Sequence, residues 1–212
     1  MRDTGTVLAD ILAVAMGVVL LALCASAYSD GVHGLFVELF CAVVCFVPAV
    51  CRRVGIVSLP GTITFLIALA VFLHAFGLLS GAYDDVSYFD TITHTLSSAV
   101  VGLLVFYALI TIQHFGGGRV NFEGRGLAVF TALIALTFSV YWEVMEYATD
   151  MFTGSVTQYS PYDTLTDLVC DSVGTFLASL WSGAYMRGRT VADAIGELQL
   201  GSRLRRVASR EE

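Results

Sequence analysis

Three short stretches of this sequence repeat acids and a histidine at helical spacing. Asp90, His94 and Ser98 are four residues apart, as are Asp163, Asp167 and Asp171, while Glu143, Glu146 and Asp150 are spaced three and then four. Such spacings put side chains on one face of a helix, so each set forms a stripe. His74 supplies a second imidazole upstream. Carboxylate with imidazole is a ligand set for Zn, Mn, Fe or Mg, and paired stripes could hold two ions. A proton relay uses the same groups, because so many carboxylates cannot all ionise in a low dielectric unless protons or cations offset them.

The elements that would position these stripes are membrane helices. The chain is 57% hydrophobic and only 14% charged, where a soluble domain carries about 25% charged residues. Its apolar residues fall in runs of about 20, the length that crosses the hydrocarbon core. The runs are Val7–Tyr28, His33–Val50, Gly61–Ser80, Asp90–Gln113, Gly126–Ala148 and Asp163–Met186. They do not alternate polar with apolar, and only helices or closed barrels satisfy the backbone in lipid, so an all-α integral membrane fold of six transmembrane helices is expected. Residues 1–186 form the membrane domain and 187–212 an Arg-rich cytosolic tail. Ala25-Ser26-Ala27 resembles a signal-peptide cleavage site, but the long apolar stretch and dilute basic n-region favour a retained helix.

Charge gives the orientation. The 11 basic residues are all Arg. Arg2, Arg52, Arg53, Arg119, Arg125, Arg187 and Arg189, with Arg203, Arg205, Arg206 and Arg210, fall on one side of the expected helices. The positive-inside rule makes that side, with both termini, cytosolic and places the chain in the cell membrane. The opposite side is acidic and free of Arg, which argues against a nucleic-acid partner there. Tyr28, Tyr83, Tyr88, Tyr141, Tyr147, Tyr159 and Tyr162 lie near the outer boundary with Trp142, as an interfacial aromatic belt would. None of Cys24, Cys41, Cys45, Cys51 and Cys170 lies in an outer loop, so no disulfide framework is expected. Glu38, Cys41 and Cys45 share a helix face, more simply as buried packing than as a soft-metal site. Thr190 and Asp193 stand at capping-box spacing and open a short helix in the tail.

With that orientation, His74, His94, Glu143, Glu146, Asp167 and Asp171 lie at similar depth in the outer half of the membrane, at about 1.5 Å of rise per residue. Charges facing lipid cost several kcal/mol apiece, so the stripes should face one another. Simpler roles compete at some positions. Asp90 and Asp163 suit helix N-caps. Asp84, Asp85 and Asp150 read as solvated loop charges, and His74 alone suits a packing hydrogen bond. Gly77, Gly102 and Gly174 suggest close helix contacts. The fourth run opens Phe89-Asp90-Thr91-Ile92-Thr93-His94 and the sixth Tyr162-Asp163-Thr164-Leu165-Thr166-Asp167. This echo makes helices three-four and five-six candidates for parallel hairpin repeats.

The order Phe89-Asp90 with His94, then Trp142-Glu143-Val144-Met145-Glu146-Tyr147, then Tyr162-Asp163-Thr164 with Asp167 and Gly174, resembles the YjdF-type family of bacterial and archaeal membrane proteins. It is more distantly similar to VanZ-like proteins, from whose pattern it departs with Asp171 in place of an Asn. The resemblance implies a polytopic membrane protein and defines no activity. The functional expectation is an extracytosolic cation site at His74, Asp90, His94, Glu143, Glu146, Asp163, Asp167 and Asp171. One use is a metal-dependent enzyme acting on a lipid or envelope component; others are a proton- or cation-coupled transporter and an assembly protein. Membrane lipid is the expected partner, and the sequence does not fix an oligomeric state.

Overall fold

The computed structural model describes residues 4–27, 31–116, 119–122 and 125–201. Tyr28, Asp30, Gly117, Gly118, Arg2 and the arginines at 203, 205, 206 and 210 lie outside the described residues. Every regular element described is a helix. In chain order these are α1 (Thr4–Ala27), α2 (Gly31–Arg53), α3 (Gly61–Ser80), α4 (Ala82–Asp85), α5 (Phe89–Phe115), α6 (Gly126–Thr153), α7 (Pro161–Tyr185) and α8 (Val191–Leu198). Helices α1, α2, α3, α5 and α6 are long and apolar enough to cross a membrane. The sixth apolar run, now α7, is not among those five, because its aspartates and a row of Ser and Thr lower its hydropathy. α4 was not anticipated: four residues are too few to show a period.

Two compact units divide the chain. The first comprises Met1–Asp85, His114–Gly117 and Gly188–Glu212, the second Val86–Gln113 and Gly118–Arg187. In the first, α1, α2 and α3 pack through small residues: Ala13, Leu20, Cys41, Ala42, Cys45, Ala68 and Ala75 form its core. Small side chains let helix backbones approach where lipid offers no hydrophobic drive to association. A Cβ on Gly61 would stand 3.0 Å from the Thr6 Cα, which shows how close α3 comes to α1. Arg52 pins one end of this unit, its guanidinium paired with Asp10 and hydrogen-bonded to Ser58 Oγ (2.8 Å) and the Leu59 carbonyl (2.9 Å). An aspartate within an apolar helix is thus paired, as a charge at that depth must be.

α8 bears out the capping-box spacing. The Thr190 hydroxyl accepts from the Asp193 N–H, and the Asp193 carboxylate accepts from the Thr190 N–H. The Thr190 hydroxyl and N–H both donate to the Asp193 carboxylate and hold its carboxyl below the ordinary carboxylate range, so the cap weakens only as pH falls through that lowered value. Ala194, Ile195 and Leu198 are buried beneath it. Two backbone bonds then tie the chain to the α2–α3 connection: Ser58 N–H to Leu198 O (3.2 Å) and Gly201 N–H to Ile56 O (2.9 Å).

In the second unit α7 packs on α6 and also meets α5 at glycine. A Cβ on Gly174 would lie 2.1 Å from the Thr95 carbonyl oxygen and 2.9 Å from the Ala99 nitrogen. One turn away, a Cβ on Gly102 would lie 2.7 Å from that of Ala178. Two of the three glycines expected at helix crossings therefore stand there. The third, Gly77, is buried in α3, and its carbonyl accepts the N–H of the left-handed cap Gly81.

Candidate functional site

The Gly174 crossing brings α5 and α7 so close that residues towards their N-terminal ends come into contact. On α5 that residue is His94, on α7 Asp171, and His94 Nδ1 lies 3.3 Å from Asp171 Oδ1. Ser98, one turn along α5, donates to Asp171 Oδ1 as well as to the His94 carbonyl (2.7 Å). Glu143 of α6 brings Oε1 to 4.0 Å from Nδ1. On the other side of the ring, Nε2 lies 3.4 Å from Asp90 Oδ1 and 4.0 Å from Asp167 Oδ1. One imidazole thus stands between two pairs of carboxylates drawn from three helices.

Burial makes the arrangement costly without a counter-charge. Glu143, Asp167 and Asp171 are only 4%, 2% and 3% exposed. Both Glu143 carboxylate oxygens and Asp167 Oδ1 lack a hydrogen-bond partner. Buried carboxylates are normally paired or bound to metal. Two groupings have ligand atoms mutually within 4.8 Å: Asp90, His94 and Asp167, and His94, Glu143 and Asp171. Bonds of about 2.0–2.2 Å to a shared ion set neighbouring ligand atoms roughly 3 Å apart. The donor atoms, within 4.8 Å of one another, need to draw together to share an ion. Oxygen with one nitrogen suits Zn, Mn, Fe or Mg.

The other expected site residues enter neither grouping. His74 belongs to the first unit, where its Nδ1 lies 2.9 Å from the Tyr83 hydroxyl. Glu146, one turn from Glu143, accepts from Trp142 Nε1 (2.9 Å) and enters neither grouping. Asp163 accepts from the Tyr159 N–H (3.1 Å). The N-cap of α7 is Ser160, whose hydroxyl accepts from the Asp163 N–H, and not Asp163 itself. Nor does Asp90 cap α5, which begins one residue earlier and holds Asp90 in its first turn. Among the described residues both ion-sized groupings contain His94, so Glu38, Cys41 and Cys45, although buried, form none.

Asp150 corrects the sequence reading. It is no solvated loop charge: it accepts from the Ser155 and Thr157 hydroxyls and from the N–H groups of Thr157 and Gln158, at 2.7–3.0 Å. The available signal was the run of Ser, Thr and Gln just after the helix, residues that bond to a helix-terminal carboxylate. The Asp10–Arg52 pair was missed too, although an aspartate in the first apolar run and an arginine ending the second marked it.

A family model described as "Predicted membrane protein (DUF2238)" matches residues 11–188. The chain belongs to that family. This is the YjdF-like family that the pattern of Asp90, His94, Glu143 and Asp167 resembles. The match takes in α2 to α7 entire and most of α1, so the DUF2238 family is shown over both compact units and the whole acidic cluster. No curated protein and no solved structure matches the chain. DUF2238 membership makes this a membrane protein; the chemistry rests on the site.

Proposed function

We propose that this DUF2238 protein holds a divalent cation, Zn, Mn, Fe or Mg, at the His94 cluster and uses it as an enzyme on a lipid or cell-envelope component. The observation that supports this most is the set of unpartnered, nine-tenths buried carboxylate oxygens on Glu143 and Asp167 beside one imidazole. A cation offsets their charge. No Arg stands at this end of α5, α6 or α7 to meet an anionic substrate, so the cation would also polarise a phosphoryl or carbonyl oxygen. A groove of about 440 Å³ between α6 and α7 favours a lipid. Ala132, Leu136, Val169, Val173, Phe176 and Leu177 line it, and it starts two residues past Asp167.

A metal that binds the native state stabilises it by mass action. Zn or Mn is therefore expected to raise the melting temperature of the purified protein in detergent. Asp167→Asn should abolish the rise, since an amide keeps the shape and loses the charge. Asp85→Asn, exposed in the other unit, should leave it intact. No rise with any divalent metal, or equal rises in both variants, refutes the metal site and leaves a proton relay or a packing cluster.

The same proposal places six helices across the membrane, α7 included, with both termini cytosolic and the His94 cluster extracytosolic. Hairpins α3–α5 and α6–α7 are then parallel repeats. In support, the two echoed segments open α5 and α7, and their aligned residues His94 and Asp167 meet. Single cysteines in a Cys-less background give the check. A cysteine at Tyr159 should react with an impermeant thiol reagent from outside, and one at Asn121 only after permeabilisation. The reverse pattern overturns the orientation.

A further inference from the structure

The two sides of the His94 ring are not equivalent. Asp171 Oδ1 lies within hydrogen-bond distance of Nδ1 and also takes the Ser98 hydroxyl. An ionised carboxylate offers acceptors only, so in a neutral ring this hydrogen bond calls for the proton on Nδ1. A neutral imidazole with Nδ1 protonated presents its lone pair at Nε2, towards Asp90 and Asp167. Asp167 Oδ1 has no hydrogen-bond partner there. Metal-bound histidines ordinarily give their second N–H to a carboxylate, which fixes tautomer and ring orientation.

We infer that a single cation binds on the Nε2 side, held by His94 Nε2, Asp90 and Asp167, and that Asp171 and Ser98 are positioning residues that set the ring. The inference rests on the cation reading above and narrows it. Three protein ligands leave coordination positions open, as sites that act on a bound molecule do. Glu143 lies on the Nδ1 side, 4.0 Å from that nitrogen, with both oxygens unpartnered. It is therefore outside the ligand set. One ion also answers the crowding: Asp171 is satisfied by two hydrogen bonds, whereas Asp167 and Asp90 face the lone pair.

The experiment uses the full chain loaded with spin-active cadmium and labelled with nitrogen isotope in its four histidines. The expected spectrum shows cadmium coupled to Nε2 of one histidine, lost in His94→Gln, with its Nδ1 still carrying a proton. Direct titration should give one ion per chain. Asp171→Asn should weaken binding by about 10–100-fold at unchanged stoichiometry, and Asp171→Glu should recover most of the loss. Ser98→Ala should weaken it less, with Ser98→Thr restoring it, while Asp167→Asn should end binding. Coupling at Nδ1, or two ions per chain with one lost in Asp171→Asn, overturns this inference while leaving the cation reading intact. No bound ion at all refutes both. If Asp171→Asn fails to fold, the wild-type coupling still decides.

Discussion

Gly174→Ala is expected to lower the melting temperature of the detergent-solubilised protein by roughly 6 °C or more, from a cost of about 3 kcal/mol. The added methyl would land 2.1 Å from the Thr95 carbonyl oxygen, which is backbone and cannot swing aside. α5 and α7 must separate, and with them His94 and Asp171, so metal binding should fall in the same variant. Gly102→Ala is the control. Its obstacle is the Ala178 methyl at 2.7 Å, a side chain that Ala178→Gly removes. The double variant Gly102→Ala with Ala178→Gly should recover stability, and no such partner exists for Gly174. Wild-type melting in Gly174→Ala would mean that the two helices are not in backbone contact.

The second large effect runs the other way. Glu143→Gln should raise the melting temperature of the metal-free protein by several degrees, corresponding to about 1–2 kcal/mol, the usual size of a stabilising change at a strained functional position. In wild type a carboxylate with no hydrogen-bond partner is shut away 4% exposed among three others. An uncharged amide of the same shape relieves the repulsion. Because Glu143 is outside the ligand set, the rise in melting temperature on adding metal should persist, in contrast to Asp167→Asn. If the cluster served only to lock the helices together, Glu143→Gln would destabilise instead. A drop on differential scanning therefore defeats the functional reading.

Much of this was legible in the sequence because membrane helices obey one-dimensional rules. The third apolar run coincides with α3, and the others differ at their ends by a few residues, where caps rather than hydropathy decide. Spacing by four put Asp90 with His94 and Asp167 with Asp171, and the cost of burying charge turned both stripes inward. What spacing does not encode is the partner helix. His74 and Glu146 carry the same chemistry as the residues that meet, yet one hydrogen-bonds with Tyr83 and the other with Trp142. Ser98 shares the stripe of Asp90 and His94, but only the structure shows its hydroxyl donating to Asp171. Asp150 read as a loop charge because the turn that wraps it is defined only in three dimensions.

That turn bears on how the protein is made. Segments of low hydropathy partition poorly into lipid by themselves, and α7, emerging last among the long helices, is the one below the apolar threshold the others meet. Asp150 sits in the last turn of α6, which is synthesised first, and takes four donors from the next few residues. The clasp needs nothing from elsewhere in the chain. If α7 crosses the membrane as proposed, this clasp ties a helix too polar to enter alone to an apolar neighbour.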